Sequence, residues 1–224
     1  METENDTLGE AVGRLYVERY FPLSSKVAMG ELVANLKRAF RARLAEAAWL
    51  SPATRQEAIT KLDDVGVKVG YPSHWRTYGF TVTAGDLYGD VKRGRAWDWH
   101  EELEQLHHPT DRQAWSLLPQ DDFAMNEGSL NAIVFSAAFL QPPFFDPAAD
   151  TAVNYGAIGV VIGHEMTYAF DDQGRKIDHT GRLRDWWTAE DTAEFNLQAG
   201  KLAAQYSAFE PLPGRAYERQ SYAG

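Results

Sequence analysis

His164-Glu165-Met166-Thr167-Tyr168 is the segment of this 224-residue chain best equipped for chemistry. On a helix, the spacing His-Glu-x-x-His puts two imidazoles at i and i+4 on one face, where both reach one zinc ion. The glutamate between them serves as general base. Here the first His and the Glu are in place, but the i+4 position holds Tyr168. The exchange is severe: at pH 7 an imidazole of pKa about 6.5 is largely a neutral donor, whereas a phenol of pKa about 10 is only about 0.1% ionised. Deprotonating Tyr168 costs about 4 kcal/mol at that pH, of which a metal's charge recovers part. A structural zinc site is worth roughly 10–16 kcal/mol over four ligands, so one ligand contributes about 3 kcal/mol, or about two decades of affinity. Tyr168 is therefore a weak candidate ligand, and the phenol is better suited to packing.

The elements that must position this motif are read from periodicity. From about Ala152 to Phe170 the pattern is apolar on all sides, which predicts a buried helix. Ala157, Val160 or Val161, His164, Tyr168 and Asp171 then share one face. Gly156, Gly159 and Gly163 lie within that helix at about 1 kcal/mol each relative to Ala, a cost that a closely packed neighbouring backbone would justify. Residues 8–20 show helical spacing, Ser24 and Ser25 offer a cap for a long second helix, and Ser51-Pro52 opens a third to about Leu62. Val65, Val67 and Val69 alternate as a short strand closed by Gly70-Tyr71-Pro72. Asp86 starts a further helix to about Leu106, Asn131 to Phe135 reads as a strand, and Pro142-Pro143 forces a loop. Thr188 with Asp191 forms a capping box for a last helix from about Ala189 to Phe209. The expected fold is mainly α with a few short β-strands, with a disordered tail at residues 1–7.

Several of these segments together resemble the neprilysin and endothelin-converting enzyme family of zinc metallopeptidases. They are Asn154-Tyr155-Gly156 through Gly163 before the motif, Phe170-Asp171-Asp172-Gln173-Gly174-Arg175 after it, and Asp185-Trp186-Trp187-Thr188 beyond. Upstream, Ile133-Val134-Phe135 and Leu140-Gln141-Pro142-Pro143-Phe144-Phe145-Asp146 belong to the same ordered set. The likeness runs from about Leu8 to about Gly214 and implies a partial neprilysin-like catalytic domain. Residues 8–118 would be a helical region leading into it, 119–214 the part carrying the motif helix, and 215–224 a C-terminal tail. It implies zinc as cofactor and peptides as substrates, with His164 a zinc ligand, Tyr168 at the place of the second, and Glu165 the base. Asp171 would be the carboxylate that orients a ligand imidazole.

Three departures bear on activity. Tyr168 replaces a ligand. The family's third ligand, a Glu in a Glu-Asn-Ile-Ala-Asp motif, has no counterpart after Pro211-Leu212-Pro213-Gly214; Glu218 is the only carboxylate that follows, and none of the motif surrounds it. The Asn-Ala pair with which the family grips a peptide backbone as an added strand falls on Phe123-Ala124-Met125-Asn126. Ala124 is retained, Phe123 stands where the asparagine belongs, and Asn126 substitutes for it only through a register shift. The expectation is a zinc metalloendopeptidase by family with weak or no activity as this chain. The alternative is a non-catalytic fragment or pseudoenzyme that binds peptides or a partner. Apolar surface left open by a partial domain would favour association.

Composition sets the outer bounds. Hydrophobic residues make up 44% of the chain and aromatics 12%, with seven Trp, as in a protein with a substantial core. A formal charge of −10 argues against nucleic acid or an anionic membrane surface as partner. There is no cysteine, hence no disulfide or thiolate site. No apolar run reaches the roughly 18 residues of a membrane span, and Met1 to Leu8 is too acidic for a signal peptide, although members of the family are commonly secreted, periplasmic or membrane-anchored. His74, His100, His107, His108 and His179 lack metal-site spacing.

Overall fold

The structure, a computed structural model, describes residues 2–209. Seven helices and three strands follow one another as α1 (Glu2–Tyr20), α2 (Leu23–Ala45), α3 (Pro52–Asp63), β1 (Gly66–Gly70), α4 (Leu87–Gln105), β2 (Ala124–Glu127), β3 (Ala132–Ser136), α5 (Thr151–Gly156), α6 (Ile158–Thr167) and α7 (Ala189–Ser207). The mainly helical expectation with a few short strands holds.

β3 is buried at every position and forms the middle of a sheet ordered β1-β3-β2. β1 lies parallel to it, with Val67 opposite Ile133 and Val69 opposite Phe135. β2 lies antiparallel, with Ala124 opposite Phe135 and Asn126 opposite Ile133. α2 packs on β1 and on α6, and α6 packs on β2. The core joins Phe21 just past α1, Met29 and Val33 from α2, Val69, Ile133 and Phe135 from the sheet, and Ile158, Ile162 and Met166 from α6. Burying each such side chain removes about 1.5–3 kcal/mol of exposed apolar surface energy, so α6 is fixed by its apolar residues while its polar ones point elsewhere.

Helix boundaries follow the local chemistry. Ser51 caps α3, its hydroxyl accepting from the Thr54 N–H at 3.4 Å with Pro52 next in line. Asp86 caps α4 by accepting from the Gly89 N–H at 3.1 Å. Thr188 and Asp191 form the reciprocal capping box of α7.

Four expectations are corrected. Helix α1 begins at Glu2, through residues read as a disordered tail, with a kink at Leu8 (φ −130°, ψ 25°). The cap of α2 is Pro22, which accepts no side-chain bond, and Ser25 is buried inside the helix. The stretch expected as one helix from Ala152 to Phe170 is two, broken at Ala157 (φ −97°, ψ −93°). Nor is it buried all round, since Val153 and Val160 are 58% and 64% exposed. Among the described residues nothing lies within 4 Å of a Cβ built on Gly156 or Gly163, and Gly159 meets only ordinary contacts. The glycine stripe is not a close-packing seam in this structure.

Candidate active-site cleft

The motif occupies the last turn of α6 and its exit. Ile162 and Met166 anchor the helix in the core, which leaves His164 exposed, turns Glu165 inward to 7% exposure, and places Tyr168 at the C-cap. The His164 and Tyr168 rings meet edge to face, with centroids 4.6 Å apart at 76°. Burial pushes the Glu165 carboxyl above its ordinary pKa, partly offset by His164 and by the backbone N–H of Asn126.

After α6 the chain folds back sharply. The Asp171 carboxylate accepts from the N–H groups of Gln173 (2.9 Å) and Gly174 (2.7 Å), closing an Asx-type turn. Position 174 must be glycine, because an added Cβ would sit 2.0 Å from the Tyr168 carbonyl oxygen. From α3, Lys61 reaches under this turn and donates to the Gly174 carbonyl at 2.7 Å and to that of Ile177. The Trp186 indole N–H donates to the same two oxygens at 3.3 and 3.1 Å. The Lys61 ammonium is pushed down to about 8 by burial, against the opposing pull of Asp178, Asp171 and Glu57.

On the facing wall, Asn126 of β2 donates its side-chain amide to the Glu165 carbonyl at 3.0 Å. The edge strand is thereby tied to the motif helix at the residue that carries the acid. Ala124 lies on the same face of β2 by the two-residue period. Phe123, 56% exposed, stands at the rim.

These walls enclose an open cleft of about 1020 Å3 that brings together Ala124, Asn126, His164, Glu165, Tyr168 and Asp171. Lys61 and Asn131 line it too and were not anticipated. Asn131 adopts φ 48° and donates to the Lys61 carbonyl at 3.0 Å. The available signal for Lys61 was its phase, since Thr54, Ala58, Lys61 and Leu62 form the buried face of α3.

The side chains at this site do not fit a zinc ion as a complete donor set. Among the described residues no three His, Cys, Asp or Glu groups converge. His164 is the one imidazole on the cleft, and Tyr168 turns its ring against it. Asp171 is committed to the turn, with no hydrogen bond to an imidazole in the structure. Glu218 lies outside the described residues. Of the other histidines, His179 pairs with Asp64 at 2.7 Å and His74 with the Ser73 hydroxyl, both away from the cleft.

The described residues thus bring a His-Glu helix end to face an antiparallel edge strand across an open cleft. Family models described as peptidase family M13 match residues 1–72 and 124–219, and the chain belongs to that family, whose members are zinc metallopeptidases. Endothelin-converting enzyme 1 of Bos taurus is 35% identical over 226 residues, covering 96% of this chain and 30% of its own length. Neprilysin-3 of Drosophila melanogaster is 32% identical over 214 residues, covering 92% of this chain and 27% of its own. Among solved structures, the zinc metalloprotease Zmp1 of Mycobacterium tuberculosis in its open state superposes with a TM-score of 0.85 at 47% identity, over 94% of this chain and 33% of that one. The chain thus spans about a third of the length of the relatives it matches.

Proposed function

We propose that this chain is a neprilysin-type peptidase homologue that keeps a peptide cleft and has weak or no zinc-dependent hydrolysis. The observation that carries the reading is the ring of Tyr168 set edge-on against His164 where the second metal-binding imidazole belongs. Among the described residues, α6, β2 and the turn after α6 line one cleft. Among the described residues β2 has a single strand neighbour, so a peptide can add to its other edge by main-chain hydrogen bonds. Glu165 is held beside that edge by Asn126. Exposed apolar side chains such as Val153 and Val160 on α5 and α6, and Leu197 and Leu202 on α7, favour association with another protein surface.

The test is calorimetric titration of metal-free protein with zinc near pH 7.5 against a His164→Ala control, followed by a fluorogenic peptide assay. Binding no tighter than the control, with no turnover above it, is the expected result. Tight one-to-one binding that His164→Ala abolishes would refute the reading and restore a working enzyme.

A further inference from the structure

The geometry points to a second binding site in this chain, a cavity between α4 and the loop after β1 that takes a short neutral glycan. This goes beyond the peptide cleft and stands apart from it, because the two share no lining residue.

The cavity is open and holds about 550 Å3, inside the range of about 300–1,000 Å3 usual for small-molecule sites. Two indoles, Trp75 and Trp115, form part of its wall, and both are half-buried. Trp75 is backed by a stack that holds it in place. Its ring lies 5° from parallel with Tyr71, centroids 5.8 Å apart, and the Lys26 ammonium sits 3.7 Å from the Tyr71 centroid. Tyr71 and Trp75 also pack on the hydrophobic core. The indole is therefore a rigid apolar platform. The negative face of such a ring attracts the polarised C–H groups on the apolar side of a sugar ring.

Polar groups of both kinds surround the indoles. Glu10 accepts from the Arg76 N–H at 2.8 Å and Asp111 from the Gln113 N–H at 2.8 Å, each through one oxygen, so both carboxylates are oriented with a second oxygen to offer. The side-chain amide of Gln105 and the indole N–H groups of Trp75 and Trp115 have no hydrogen-bond partner among the described residues. A ligand that both accepts and donates answers this set, and sugar hydroxyls do so at every position. An organic cation would satisfy the carboxylates and leave the N–H groups without an acceptor. An anion would meet Glu10, Glu101 and Asp111 as like charges, and Arg76 offers it little, being paired with Asp98 at 2.9 Å. The acids act here as hydrogen-bond acceptors, and the ligand class is set by the indole platform together with the unpaired N–H groups.

Saturation-transfer NMR on the full chain tests this with maltose, cellobiose, lactose and diacetylchitobiose, and with choline and free glutamate as charged controls. At least one disaccharide should bind saturably with a dissociation constant of about 1–10 mM, and both controls should bind at least about tenfold more weakly. Trp115→Ala should weaken the disaccharide about five- to tenfold through loss of the ring face, while Trp115→Phe keeps binding within about threefold of wild type. Gln105→Ala, at an exposed position on α4, should weaken it about threefold. Matching thermal melts show that the variants fold. No saturable binding by any of the disaccharides, tighter binding of choline, or binding unchanged in Trp115→Ala overturns the inference. Should Trp115→Ala fail to fold, unchanged binding in Gln105→Ala overturns it instead. Zinc and the cleft take no part in the readout, so this inference and the peptide-cleft proposal fail separately.

Discussion

Tyr168→His is the perturbation that isolates the ligand position from everything else in the cleft. The Tyr168 side chain is 44% exposed and His164 is exposed, so an imidazole in its place needs no repacking. The present rings already sit 4.6 Å apart between centroids, one helical turn from each other. Losing their edge-to-face contact costs about 0.5–1.5 kcal/mol, and His and Tyr have nearly the same helix propensity. At about 3 kcal/mol per ligand, one imidazole gives a dissociation constant of about 10⁻² to 10⁻³ M, and two give about 10⁻⁴ to 10⁻⁵ M. The expected gain is therefore about two decades. Calorimetry with zinc reads it directly, and the absence of cysteine leaves no thiolate to compete. Adding His164→Ala to the variant should return the affinity to the wild-type level. If Tyr168→His binds zinc within about threefold of wild type, α6 does not present a chelating face, and the argument from i, i+4 geometry is wrong.

Other substitutions probe the frame. Asp191 is 2% exposed and accepts from the Ser51 N–H (2.6 Å), the Ser51 hydroxyl (2.8 Å) and the Thr188 hydroxyl (2.7 Å), joining the starts of α3 and α7. Asp191→Ala strands these donors and should cost about 3 kcal/mol, lowering the melting temperature by about 6–12 °C in calorimetry. Burial opposes the ionisation of Asp191 and Asp178, but hydrogen bonds from Ser51 and Thr188 to the first, and from Thr180 and Arg184 to the second, outweigh it and hold both carboxyls below the usual range. Their stabilisation is complete above the unfolded pKa of about 4 and is lost as pH falls below it, so urea midpoints should drop steeply there. Lys61 has the opposite sign. Its folded pKa of about 8 lies under the unfolded value of 10.5, so the unfolded chain binds the proton more tightly and stability rises between those pH values. Relative to Lys61→Met, wild type should gain about 1–2 kcal/mol from pH 7 to pH 10.5, allowing for solvent screening. Gly174→Ala should cost at least about 3 kcal/mol from its clash with the Tyr168 carbonyl, whereas Gly163→Ala, with open space around it, should add about 1 kcal/mol. A destabilising Gly163→Ala would place another backbone on that face.

What the sequence revealed and what it hid divide by range. The caps at Ser51, Asp86 and Thr188 are local, a residue answering a neighbour three positions away, and they appear where expected; a strand also forms at Gly66–Gly70, but the alternation of Val65, Val67 and Val69 is not its burial pattern, since Val65 precedes it, Val67 is exposed and Lys68 is buried. The motif is local too, so His164, Glu165 and Tyr168 could be named from spacing. The break at Ala157 was hidden because an apolar run reads the same whether one helix or two carry it. The exposure of Val153 and Val160 was hidden because hydropathy gives no account of which faces find a neighbour. Asn126 and Lys61 acquire their parts from partners 39 and 113 positions away, which no periodicity encodes.

The contacts that hold the cleft open bear on how Tyr168 can be tolerated. Lys61 and Trp186 pin the carbonyls of the turn, Asp171 closes it, Gly174 permits its approach to α6, and Asn126 fixes the opposite strand. None of these bonds passes through the side chain of His164 or Tyr168. The hydrogen bond at His164 falls on its backbone carbonyl, which accepts from the Thr167 hydroxyl. Positions 164 and 168 are therefore mechanically separate from the walls around them. A cleft built this way can exchange those two side chains and keep its shape, so substitutions at 164 and 168 should alter what the cleft binds while lowering its melting temperature by no more than about 1–6 °C, the worth of the lost ring contact.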